Sequence, residues 1–178
     1  MVYICDYKSP VGKLVMASDG ESLTGLWFEG QKYFASTVAK EVQCQLMKQE
    51  AQNSFYKLED KLLVFEQTRQ WLDCYFKVEE PQDMPPLAPS GSGFRQLIWK
   101  LLLEIPYGTS VTYGELGRRA AAVLGRETMS AQAVGGAVGH NPISILIPCH
   151  RVLGAGGKLT GYAAGIEIKQ KLLELEGI

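Results

Sequence analysis

The first third of the chain is built from short apolar pieces separated by turn residues. Tyr3–Tyr7, Lys13–Ser18 and Leu23–Phe28 read as strands, set apart by Ser9-Pro10-Val11-Gly12 and by Ser18-Asp19-Gly20. Two helical stretches follow, Tyr33–Leu46 and Asp60–Phe76, with Leu62, Phe65, Leu72 and Phe76 spaced to share one face of the second. Helical spacing resumes over Gly93–Glu104, apolar at Phe94, Leu97, Ile98, Leu101 and Leu102, and Ile105-Pro106-Tyr107-Gly108 ends it. Thr112 with Glu115 three residues later is a capping-box pattern. It opens a helix that runs to about Leu124 and stops at Gly125. Another helix starts at Thr128 or Ser130 and continues to about Gly139. Beyond it, Ile143–Ile147 is an apolar run that reads as a buried strand carrying Pro148-Cys149-His150-Arg151 at its end.

Between these halves, residues 78–93 hold four of the eight prolines, which predicts an extended connector. The expected fold class is α+β. Residues 1–85 form a small antiparallel sheet with helices packed on it. Residues 90–178 form a mostly helical domain with a helix-turn-helix and the Pro-Cys-His-Arg strand end. The length suffices for real cores, and no stretch is apolar for long enough to span a membrane. The N-terminus lacks the basic start and apolar core of a signal peptide, so a cytoplasmic location is the expectation.

Charge sharpens the division. Residues 1–89 carry 9 basic and 13 acidic side chains, residues 90–178 carry 9 and 6, so only the second half is net positive. That asymmetry suits an anionic partner for the second half. Nothing in the first half forms a reactive cluster, and it reads as a scaffold. The helix over 131–139, Ala-Gln-Ala-Val-Gly-Gly-Ala-Val-Gly, has almost no long side chains. Each internal glycine costs up to about 1 kcal/mol relative to alanine. Such a helix needs close approach on a face, either to a neighbouring helix or to a groove of nucleic acid.

Four cysteines, Cys5, Cys44, Cys74 and Cys149, lack paired spacing, and there are only two histidines, so neither a disulfide framework nor a metal site is expected. Cys149 stands out because an imidazole adjoins it. A free thiol has a pKa of about 8.5 and is only a few per cent thiolate at neutral pH, so it needs a base to become a nucleophile. Taken alone, Cys149 could equally be an inert core cysteine.

Together these features resemble the O6-alkylguanine-DNA alkyltransferases, also called methylated-DNA–protein-cysteine methyltransferases. The resemblance rests on Pro148-Cys149-His150-Arg151-Val152, Asn141-Pro142, Ala133-Val134-Gly135, Gly161-Tyr162, and Lys169, Leu172, Leu173, Glu176 and Gly177. It covers most of residues 93–178. In the first half only Ser9-Pro10-Val11-Gly12 and Gly25-Leu26-Trp27-Phe28 share it. The resemblance implies irreversible transfer of an alkyl group from O6 of guanine to Cys149, once per molecule and without a cofactor; whether O4-alkylthymine is also a substrate stays open. It implies His150 as base through a bridging water, Glu176 as the carboxylate orienting that imidazole, and Asn141 as a brace for the turn. Tyr113 and Lys169 would donate to the departing guanine. Double-stranded DNA is the implied partner, bound in the minor groove with the damaged nucleotide flipped out, by a monomer. Gln132, Ala133, Gly136, Ala137 and Tyr113 would face the DNA, and Pro148, Tyr162, Ala163 and Ala164 would line the substrate pocket. Arg151 reads as an ion-pairing anchor of the strand end.

Two positions depart from the family pattern. Gln132 stands where an arginine commonly fills the gap left by the flipped base, so DNA affinity should be weaker and less salt-dependent. Tyr162-Ala163-Ala164-Gly165 replaces the usual Tyr-x-Gly-Gly, and the Ala164 methyl puts acceptance of bulky alkyl groups in question. Two other readings compete: a non-reactive lesion sensor, which would lack the Cys149, His150 and Glu176 set, and an unrelated cysteine hydrolase, which would leave the glycine-rich helix unexplained.

Overall fold

The computed structural model describes residues 1–48, 56–58 and 62–178. The chain forms two compact units, Met1–Ser90 and Gly91–Ile178.

In the first unit, β1 (Val2–Ser9), β2 (Gly12–Ser18) and β3 (Leu23–Phe28) form an antiparallel meander. The Ser9 hydroxyl closes the first hairpin by donating to the Gly12 carbonyl (2.6 Å) and accepting from the Val11 amide (3.2 Å). Asp19 closes the second turn by accepting from the amides of Glu21 and Ser22. A short β4 (Tyr56–Leu58) adds to β1 in parallel, giving the order β3-β2-β1-β4. Ile4, Val15, Ala17, Trp27, Phe34 and Val42 form a core on the sheet, in which full burial of a Val, Ile or Phe side chain contributes about 1.5–3 kcal/mol. Gly25 is required there, because a Cβ would fall 1.8 Å from the Trp27 ring. Helix α1 (Lys40–Lys48) is shorter than the expected Tyr33–Leu46. Tyr33 and Ala35 have φ of 61° and 51°, turning the chain so that neighbouring Phe34 and Ala35 both enter the core. Helix α2 (Leu63–Phe76) buries Val64, Phe65, Thr68, Trp71, Leu72 and Tyr75; the first residues of the helix expected from Asp60 lie outside the described residues.

The second unit contains α3 (Gly93–Leu103), α4 (Tyr113–Leu124), α5 (Ala131–Gly139) and α6 (Ile166–Leu175). A two-residue parallel pair, β5 (Val111–Thr112) and β6 (Val152–Leu153), lies among them. Each of the first three helices starts on a hydroxyl cap. Ser92 accepts from the Arg95 amide, Thr112 from Glu115 and Ser130 from Ala133. Gly125, at φ 65°, ends α4 in the left-handed conformation that glycine adopts without strain. Trp99 of α3 donates its indole N–H to the Ala137 carbonyl at 3.0 Å, pinning α3 to α5.

The strand expected over Ile143–Ile147 is absent. The segment is buried, as its composition demands, but it is wound into a turn. Asn141 Oδ1 accepts from the Ile143 amide, Ile145 sits at φ 70°, and the Ile147 amide returns to the Ile143 carbonyl. The side chain of Asn141 thus satisfies backbone groups that a strand would have paired with a neighbour.

Candidate active site

Cys149 opens a 3₁₀ turn, Cys149–Arg151, that leads into β6. Placement at a strand end is therefore corrected: the cysteine precedes a strand and follows a turn. Two bonds fix that turn, from the Cys149 amide to the Ile147 carbonyl (2.8 Å) and from the Arg151 amide to the Pro148 carbonyl (3.0 Å). Asn141 Nδ2 donates to the Ile147 carbonyl at 2.8 Å and to Cys149 Sγ at 3.2 Å. One amide thus holds both the turn and the sulfur. Burial pushes the Cys149 thiol up, while hydrogen bonds from Asn141 and Tyr162 and the nearby Lys169 charge pull it back.

His150 and Glu176 are both buried, and His150 Nε2 lies 2.6 Å from Glu176 Oε1. Arg151 reaches the same carboxylate from Nε to Oε2 (2.7 Å) and from Nη2 to Oε1 (3.1 Å), and Nη1 donates to the Ile105 carbonyl (2.7 Å). The Gly108 amide completes the set at 3.2 Å from Oε2. Burial alone would raise the Glu176 pKa, but bonds from His150 and Arg151 reverse this and hold it at about 2. His150 moves the other way. Burial lowers its pKa, and the carboxylate only partly compensates, so the imidazole is neutral at pH 7. With Nε2–H directed to the carboxylate, the lone pair belongs to Nδ1.

Lys169 is buried in α6, and its ammonium donates to the carbonyls of Val152 (2.6 Å), Thr160 (2.8 Å) and Gly161 (3.3 Å). An ammonium has three N–H donors, and all three are used. Lys169, expected to donate to a departing base, here ties β6 to the Thr160–Gly161 loop, and its charge acts on the sulfur from a distance. Burial lowers its pKa to about 8. Tyr113, half-buried at the start of α4, lies with its ring centroid 5.9 Å from the Lys169 ammonium. Burial raises the Tyr113 pKa, so the phenol keeps its proton. Pro148 is buried, whereas Tyr162, Ala163 and Ala164 are half-buried in the turn before α6.

On α5, Gln132, Ala133 and Gly136 are exposed. Ala137 is not on that face. It is 3% exposed, and its carbonyl accepts the Trp99 indole N–H of α3. A Cβ built on Gly135, Gly136 or Gly139 meets no heavy atom within 4 Å. Packing within the protein therefore does not explain these glycines.

The geometry joins residues far apart in sequence, and the whole chain resembles known proteins. A family model described as "6-O-methylguanine DNA methyltransferase, DNA binding domain" matches residues 93–178, and one described as "6-O-methylguanine DNA methyltransferase, ribonuclease-like domain" matches residues 2–85. The chain belongs to the 6-O-methylguanine DNA methyltransferase family. A methylated-DNA–protein-cysteine methyltransferase from Haemophilus influenzae is 43% identical over 99% of this chain and 87% of its own length. A relative of the same name from Methanosarcina acetivorans is 38% identical over 99% of both chains. The crystal structure of Mycobacterium tuberculosis O6-methylguanine methyltransferase superposes with a TM-score of 0.77 at 37% identity, covering 99% of this chain and 93% of that one. The M. tuberculosis OGT structure in complex with DNA superposes at 0.75 and 36% identity, covering 98% and 91%. The resemblance seen in the sequence is borne out. Among the described residues, no helix is long and apolar enough to cross a membrane.

Sequence reasoning missed the Gly108 amide, the Ile105 carbonyl and the Thr160 and Gly161 carbonyls, all of which contribute only backbone groups. A signal for the true place of Lys169 was present: Lys169, Leu172, Leu173 and Glu176 follow an i, i+3, i+4, i+7 spacing, the buried stripe of α6.

Proposed function

We propose that this chain repairs DNA by moving the alkyl group of O6-alkylguanine onto Cys149, irreversibly and once per molecule. The observation that carries this reading is a buried cysteine whose sulfur accepts from Asn141, followed directly in the chain by a buried His150 paired with Glu176.

In the proposed reaction, His150 Nδ1 takes the Cys149 proton through a bridging water, and Glu176 stabilises the imidazolium that forms. The thiolate attacks the alkyl carbon, a C–S bond forms, and the C–O6 bond breaks with its electrons going to guanine. Tyr113 supplies a proton or hydrogen bond to the leaving base. Asn141 and the distant Lys169 charge favour the thiolate. The product is a thioether, which water does not cleave, so the sulfur is spent after one reaction. The machinery lies within residues 90–178, the first 85 residues serving as scaffold, and because one unit supplies every reacting group a monomer suffices.

The target base must leave the duplex to meet the thiolate. The exposed residues Gln132, Ala133 and Gly136 and the open space beside the α5 glycines support entry of this helix into the minor groove. The cysteines Cys5, Cys44, Cys74 and Cys149, none of them in a disulfide, suit a reducing, cytoplasmic setting. A titration tests the proposal: duplex carrying one O6-methylguanine, in excess over protein, should have its guanine restored in up to one equivalent of DNA per chain, after which the reaction should stop. Continued turnover would point to a hydrolase, and binding without repair to a lesion sensor.

A further inference from the structure

Helix α5 carries no charged side chain, reading AQAVGGAVG. Yet affinity for DNA comes largely from cations that neutralise phosphates and release counterions. The proposed function therefore needs a cation from a neighbouring element. Arg119 of α4 is committed to an ion pair with Glu115 one turn away. Arg126 lies in the loop beyond Gly125, away from the α4–α5 groove lining.

Arg118 is different. It is exposed and, among the described residues, forms no ion pair. Its side chain folds back over the first turn of α4, placing Nη1 3.7 Å from the point where a side chain on Gly114 would begin. Both Gly114 and Arg118 are exposed, so the guanidinium is open to a partner there. With Tyr113, Gly114, Gly117, Ala131 and Val134, Arg118 lines a groove of about 240 Å³ between α4 and the start of α5. Glu127 also lines this groove without pairing with Arg118. A cation beside the positive end of a helix is disfavoured unless an anion joins it. A phosphate seated between the two supplies that anion.

We propose that Arg118 anchors a backbone phosphate of the strand alongside α5, supplying charge that Gln132 does not. This rests on the reading that α5 enters the minor groove. Guanidinium matches phosphate geometry with two N–H donors, whereas an ammonium offers only a point charge. The specific consequence is a change in how binding depends on salt.

The test measures equilibrium binding of the intact chain to an O6-methylguanine duplex from about 50 to 200 mM salt, a range over which counterion release is readily resolved. Wild type, Arg118→Ala and Arg118→Lys are compared. One lost phosphate contact should reduce the slope of log K against log salt by about 1 and weaken binding about eight-fold at 0.1 M salt. Arg118→Lys should keep most of the slope. The single-turnover rate at saturating DNA should be unchanged in both variants. Arg118→Ala with wild-type slope and affinity would overturn the proposal. So would equal weakening in both variants at unchanged slope, which is the signature of a structural role. If wild type itself showed no salt-dependent binding to the duplex, the proposed function would fail first, which separates the two outcomes.

Discussion

Replacing Glu176 with glutamine preserves the side-chain shape and removes the charge on which three groups converge. The carboxylate accepts from His150 Nε2, from Nε and Nη2 of Arg151 and from the Gly108 amide. A glutamine offers one oxygen, and its amino group would face donors. Glu176 has a pKa of about 2 against an ordinary value of 4.5. A carboxylate pKa lowered on folding adds stability that is fully present above the unfolded value and is lost as pH falls through the folded one. The difference corresponds to about 3 kcal/mol at pH 7 and roughly half of that at pH 3. Leaving the Arg151 guanidinium buried without its partner costs about 3–5 kcal/mol by an independent route. Urea unfolding of wild type and Glu176→Gln should therefore show a gap of about 3 kcal/mol at pH 7, narrowing to about half by pH 3. Equal stability at pH 7, or a gap that does not change with pH, would refute the reasoning. Alkyl transfer should also slow by on the order of 10³-fold or more, because the imidazole loses its fixed tautomer.

Three further outcomes follow from the same geometry. His150 is held neutral by burial, so the single-turnover rate should stay flat as pH falls through 6.5 and decline only below it; a half-maximal rate at or above 6.5 would contradict this. Gln132→Arg should tighten binding to lesion-containing duplex and steepen its salt dependence by about 1 in log–log slope, and unchanged binding would remove Gln132 from the interface. Ala164→Gly should speed reaction with O6-benzylguanine while leaving O6-methylguanine unaffected; equal effects on both would mean that the Ala164 methyl does not limit alkyl size.

Much of the fold was legible where local chemistry decides it. The hydroxyl cap at Thr112 and the stop at Gly125 lie where their residue types marked them, and Ser130, one of two starts the sequence offered, caps the next helix. Three strands and the Ser9–Gly12 hairpin were equally plain. The Ile143–Ile147 run was not, because its apolar composition states burial but not backbone direction; the Asn141 side chain decides that. Phe34 and Ala35 misled for a related reason: their apolar character states burial, while the positive φ at Tyr33 and Ala35 that breaks the helical path is not written in composition. At the candidate site, Cys149 and His150 could be read as neighbours. Their link to Glu176, 26 residues later, and the Arg151 clamp on the same carboxylate depend on how α6 packs. The family resemblance implied Lys169 as a donor to the departing base. Its three carbonyl partners come from distant segments and convert it into a tie.

The most direct measurement mixes the protein with duplex DNA containing one O6-methylguanine and maps it by peptide mass spectrometry. The account predicts one added methyl group on the peptide containing Cys149, none on those containing Cys5, Cys44 or Cys74, and unmodified guanine in the DNA. An unmodified Cys149 after tight binding, or a methyl on another cysteine, would contradict it.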